Sequence, residues 1–200
     1  MQQNMKSDLH DLLRLSREAV VWKLEGASEY DVRRPLTATG TNLLGLVKHL
    51  ATVQALYLGF VFDRPLPDPP DWMTSAMNRG DDLWVRPDES RESILDLFHR
   101  ASALADETIA DHAVDAPADV PWVPFLGAGT TLHRVLVHVI GEMQRHLGHA
   151  DVIRELIDGR AGKQPDNADL AATDIDDRRA HYRRIDKAAR AACEAPQLDR

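Results

Sequence analysis

Four side chains able to ligate a metal or carry a proton lie close together near the middle of the second half of the chain. His138, Glu142, His146 and His149 follow one another at spacings of four, four and three. At about 100° per residue these spacings place them within a sector of roughly 80° on one helix. Leu132, Val135, Leu136, Val139, Ile140, Met143, Leu147, Ala150, Ile153 and Ile157 mark the core-facing side of that helix. On the same wheel His146 falls inside the apolar face, Glu142 at its rim, and His149 and His138 progressively further out. A carboxylate and an imidazole carried into an apolar interior must pair, change protonation or hold a cation, because burying an unpaired charge is costly.

A third donor comes from an earlier helix. His49 projects on the side of Leu46, Val53, Leu56 and Phe60, an apolar environment. Two imidazoles and a carboxylate suit Zn²⁺, Ni²⁺ or Fe²⁺. Three protein ligands leave at least one coordination position open, the pattern of a catalytic metal rather than a structural one. Spacing alone leaves a second reading open: a histidine on an apolar face can be a hydrogen-bonded core residue, and Glu-His at i, i+4 a simple helix pair. His10, His99, His112, His133 and His181 read as solvated. No nucleophile elbow and no phosphate-binding loop is present. The single cysteine, Cys193, excludes an intramolecular disulfide and any metal site built on cysteine.

The elements that must position these residues follow from apolar periodicity. A first helix spans about Ser7 to Glu25 and closes at Gly26. After a connector containing Pro35, Thr41 or Asn42 caps a second helix that reaches Phe62 and is apolar around most of its circumference, as suits the most buried member of a bundle. Residues 63–87 hold five prolines, Trp72 and Trp84 and read as a long irregular connection with one short helix. A third helix covers Glu89 to Asp111, a second proline-rich passage carries Trp122, and Thr130 is an N-cap candidate for the fourth helix, Thr131 to Asp158, closed by Gly159. Residues 160–173 are loop, and 174–195 form a fifth, highly charged helix expected on the surface. The expected organisation is an all-α bundle over residues 1–160, followed by residues 161–200 as a loop and charged C-terminal helix packed on it.

Composition agrees with a soluble helical chain: 44% hydrophobic and 28% charged residues over 200 positions, few aromatics and abundant Ala and Leu. A net charge of −8, with no Lys/Arg block longer than a pair, argues against nucleic acid as a partner. The polar N-terminal residues lack the apolar stretch of a secretory signal, and no run reaches the roughly 18 apolar residues of a spanning helix, so no membrane partner and a cytoplasmic location are expected.

Two stretches also resemble a known family. Leu24-Glu25-Gly26-Ala27-Ser28, Arg34-Pro35-Leu36, Gly40-Thr41 and Leu46-Val47-Lys48-His49-Leu50-Ala51 look like the opening of DinB-like proteins, the damage-inducible superfamily. The run from Glu142 to Asp151, continuing Arg154 to Gly159, looks like its closing helix. Together they cover most of residues 8–160. The resemblance implies a four-helix bundle with a long crossover between helices two and three, commonly a homodimer, holding a divalent metal through His49, Glu142 and His146. Position 142 is histidine in many members but glutamate in the branch similar to mycothiol-dependent maleylpyruvate isomerase, which Glu142 fits. Gln54 stands where relatives often carry glutamate. His149 matches as a supporting group or a replacement ligand. The implied activity is metal-dependent S-transfer or isomerisation with a low-molecular-weight thiol, mycothiol or bacillithiol, and an electrophile, with His149 or His138 as proton carrier. The alternatives are a non-catalytic, metal-stabilised bundle that binds a small ligand in stress response or detoxification, and a vestigial bundle whose polar cluster is satisfied internally.

Overall fold

The computed structural model describes residues 2–74, 80–165 and 174–194. Four long helices form the body: α1 (Gln2–Trp22), α3 (Leu43–Gln54), α5 (Arg91–Asp111) and α6 (Leu132–Asp158). Short helices α2 (Glu29–Arg33) and α4 (Asp71–Thr74) lie in the first two connections, and α7 (Ile175–Glu194) follows the bundle. Helix α3 packs against both α5 and α6, while α1 packs against α6 and, less extensively, α5. Leu13, Leu44, Leu50, Phe98, Val135, Leu136 and Met143 interlock in the core. They belong to the apolar stripe of their own helix, and these stripes dictate which faces meet.

The helix boundaries have local causes. Asn42 caps α3 by accepting from the Gly45 amide (2.8 Å), and Ser90 caps α5 by accepting from Ser93 (3.0 Å). Gly159 ends α6 in the left-handed region (φ +76°), where its amide returns to the Glu155 carbonyl. The helix expected up to Phe62 departs from α-geometry after Gln54: Ala55–Gly59 is a π-helical turn and Phe60–Phe62 a 3₁₀ turn. By length and composition Leu43–Phe62 could cross a membrane, contrary to the sequence expectation. Most of it is buried inside the bundle, and its apolar circumference reflects that central position.

The proline-rich passage before α6 contains an antiparallel hairpin, β1 (Pro117–Val120) and β2 (Gly127–Thr131), which the sequence reading placed in a loop. Ala118 and Val120 face the core, a bulge interrupts the register between them, and the Asp119 carboxylate accepts from the Gly129 amide (2.7 Å). Thr130 is therefore a strand residue, and Thr131 occupies the N-cap position of α6 without a side-chain capping bond.

Beyond α6 the chain is fastened to α1. Gly162 donates to Asp151 (2.7 Å), the Trp22 indole donates to the Lys163 carbonyl (2.8 Å), and the buried Lys23 ammonium reaches both Asp151 and the Gly162 carbonyl. In α7, Ile175, Tyr182 and Ile185 are exposed, and the Arg178 guanidinium donates to the Gly159 carbonyl (2.7 Å).

Candidate metal centre

Helix α3 supplies His49, and α6 supplies Glu142 and His146 one turn apart. The structure brings one ligand atom from each of the three within 4.8 Å of one another. His146 Nε2 stands 3.4 Å from Glu142 Oε2, and the His49 and His146 rings meet edge to face at 4.6 Å between centroids. The side chains of His49 and His146 are mostly enclosed, and Glu142 is partly open. Burial first, and the adjacent His49 second, push the His146 imidazole down to about 4, so at neutral pH it is uncharged with a lone pair to offer.

His49 is held by a group the sequence reading did not find. Its Nδ1 lies 2.6 Å from Asp82 Oδ2. This hydrogen bond holds the Asp82 carboxyl below its ordinary value against the opposing effect of burial. An ionised carboxylate only accepts, so Nδ1 carries a proton and Nε2 is the ring nitrogen left to face a cation, the orientation found in carboxylate-histidine-metal arrangements. His49 thus sits beside a buried carboxylate, not in the purely apolar environment that its helical neighbours suggested.

Asp82 is placed by contacts between its loop and α3. The buried Lys48 ammonium pairs with Glu89 (2.9 Å), donates to the Trp84 carbonyl (3.1 Å) and lies over the Trp72 ring at 4.2 Å. Asn42 also donates to the Leu83 carbonyl (3.3 Å). Gly45 makes this seating possible, since a Cβ there would collide with the Leu83 carbonyl. Lys48, one residue before His49, therefore anchors the segment that orients His49.

The two outer histidines differ from the expected order. His149 is exposed, with Nδ1 3.3 Å from His146 Nδ1, so it touches the side of His146 that faces away from Glu142. His138 is the better covered of the two. Its ring packs edge to face on Tyr57 (4.7 Å) and Phe125 (5.2 Å), residues of the π-helical turn and the hairpin loop, and burial lowers its pKa. The helical wheel placed His138 outside because it does not include elements that later fold over that face. Trp122, from the same hairpin loop, approaches Tyr57 at 6.3 Å and is 45% exposed. A cleft of about 390 Å³ runs along α6 from Phe125 and His133 past His138 to Glu142. His133 is half-buried, not solvated, with Nδ1 enclosed. Gln54 is not part of the site; it accepts from Arg17 Nε (2.6 Å) in the bundle interior.

Two imidazole nitrogens and a carboxylate oxygen around a common point match the donor set preferred by borderline divalent cations. A family model described as mycothiol-S-transferase matches residues 8–159. The chain belongs to this family. Mycothiol-S-transferases are DinB-like, in agreement with the helical bundle, and the matched segment ends at the residue that closes α6, with α7 outside it. No curated protein matches the sequence.

Proposed function

We propose that the protein is a divalent-metal-dependent S-transferase that joins mycothiol, or a related low-molecular-weight thiol such as bacillithiol, to an electrophilic carbon. The observation that carries this reading is the convergence of His49, Glu142 and His146 within 4.8 Å, in a chain of a family described by that transfer. His49 Nε2, His146 Nε2 and a Glu142 oxygen would hold the cation. When bound, a divalent cation with an open position lets a thiol ionise at neutral pH.

The chain's own groups support such chemistry. Asp82 orients His49, and burial keeps His146 neutral and ready to ligate. His138 and His149, on either side of the ligands along α6, are the nearby proton carriers. The protein offers no sulfur of its own at the site: the sole cysteine, Cys193, is exposed on α7. The nucleophile must then arrive from solution, along a cleft that ends at Glu142.

Elemental analysis of protein purified without chelators, followed by conjugation of mycothiol to a panel of electrophiles, tests the reading. The expected result is about one Zn²⁺, Ni²⁺ or Fe²⁺ per chain, with turnover lost on chelation and regained on adding the ion. Metal-loaded protein that conjugates nothing would leave a ligand-binding bundle in place of an enzyme. Protein that binds no such ion would overturn the reading altogether.

A further inference from the structure

We infer that the cleft running along α6 from Glu142 binds a reactant that carries a carboxylate, with Arg134 as the anchor for that group at the far end. The inference rests on the S-transferase reading and narrows its substrate class.

Helical spacing lays the cleft out. Arg134, His138 and Glu142 follow one another at four-residue intervals, so they stand on successive turns of α6, and all three line the same cleft of about 390 Å³. Eight residues at the helical rise put Arg134 about 12 Å along the axis from Glu142. One end of the cleft is thus a member of the candidate metal centre, and the other is a guanidinium at a set separation from it.

The charge at the far end is not neutralised within the fold. One terminal nitrogen of Arg134 donates to the Phe125 carbonyl (2.5 Å), and among the described residues no carboxylate pairs with the guanidinium. A guanidinium carries several N–H donors in a planar fork, so a single bond to a carbonyl holds it in place and leaves the others for a ligand. His133 lines the same end. Among the described residues that line the cleft, Glu142 is the only acid, in a chain of net charge −8. A basic cleft end in an otherwise acidic protein draws in anions.

Gly141 gives an independent indication that a molecule lies here. It stands inside α6, where glycine costs stability relative to alanine, and a Cβ at this position would meet no atom within 4 Å. Packing within the chain therefore does not account for the glycine. It lines the cleft beside Glu142, where a bare backbone lets a ligand approach the helix closely. A carboxylate is the anion that these groups fit, since its paired oxygens match the planar fork of arginine. Either reactant can bring it: the thiol, as in bacillithiol, or the electrophile when the thiol is mycothiol.

The test measures binding before turnover. Metal-loaded protein is titrated calorimetrically with ω-mercaptoalkanoates of increasing length and with the matching uncharged amides. Wild type, Arg134→Gln, Arg134→Lys and Gly141→Ala are compared, with metal content and melting temperature as checks on folding. The wild type should prefer acid over amide by about tenfold or more. The preference should be greatest for chains that span roughly 12 Å. Arg134→Gln should abolish it, Arg134→Lys should retain part of it, and Gly141→Ala should weaken binding while raising the melting temperature. No preference in the wild type, or one that survives in Arg134→Gln, would overturn the inference. So would equal weakening of acid and amide in both Arg134 variants, which would mark this residue as a clamp for the hairpin loop alone. Two kinetic comparisons then locate the carboxylate: KM for an ω-iodoalkanoate against its amide with mycothiol, and KM for bacillithiol against mycothiol with an uncharged iodoalkane. An Arg134-dependent preference in one comparison assigns the group to that reactant, and turnover without preference in either would overturn the inference. A wild type that conjugates nothing would retire the transferase reading, while the titration still decides whether Arg134 holds a carboxylate.

Discussion

Two of the polar clusters that the bundle encloses are built to opposite ends. Between α1, α3 and α5, Arg17 donates to Gln54 (2.6 Å) and to Asp106 (2.5 Å), Asp106 also accepts from His10 (2.7 Å), and Ser102 donates to Gln54 (3.3 Å). Only the second terminal nitrogen of Arg17 lacks a partner there. Between α3 and α6, by contrast, two imidazoles and a carboxylate turn their heads toward one point, with His49 held from behind by Asp82 and His146 touched from behind by His149. The first cluster is satisfied internally and ties helices together. The second gathers three potential ligand atoms around one point instead.

Three changes would break or sharpen this contrast. The largest effect is expected from His146→Ala: metal should be absent after dialysis, and the melting temperature should no longer rise when the ion is added. Retention of full metal occupancy in that variant would remove the distinction between the clusters. Next, Asp106→Ala should lower the unfolding free energy by about 2–4 kcal/mol, somewhat below the figure for a fully enclosed pair because Asp106 is partly exposed. Metal affinity should be unchanged, and urea denaturation with parallel metal titration reads both quantities. The smallest effect is expected from Asp82→Asn, which keeps the shape of the side chain but weakens its hold on His49: metal affinity should fall by about 10–100-fold with little change in apo-protein stability. An unchanged affinity would show that His49 is oriented by packing alone.

Much of this architecture was legible in the residues. The three- and four-residue apolar intervals identify α1, α3, α5 and α6, and the Glu142-His146 spacing sets both heads on one helical side, because each signal is local to a single helix. Their meeting with His49, reached through the family resemblance as well as through its apolar neighbours, appears in the coordinates as proximity. Other features depend on contacts distant in sequence. Asp82 lies 33 residues from His49, in a segment that also holds Asp81 and Asp88, and nothing in its neighbours separates it from them. Contacts of its loop with α3, among them Lys48 with the Trp84 carbonyl and the close approach of the Leu83 carbonyl to Gly45, select it. The hairpin was missed for a different reason: its strands are four and five residues long and lie between prolines and glycines, so too few alternations exist to announce a strand. That omission helped to put His138 on the wheel's outer side, since one of the two rings that cover it, Phe125, belongs to the hairpin loop. The π-helical turn leaves no mark in apolar spacing, because the residues around it, Gln54 apart, are apolar on every side of the helix.

The position of the lone cysteine bears on how the protein would fare in contact with reactive electrophiles. Soft, alkylating molecules react first with thiols, and residues 1–192 contain none. A reactive compound lodged beside His146 meets imidazole and carboxylate, both slower targets at neutral pH, while Cys193 stands exposed on a helix outside the matched bundle. Alkylation would then mark the tail and spare the His49, Glu142 and His146 cluster, and the same lone thiol gives a single place to attach a reporter without disturbing the bundle.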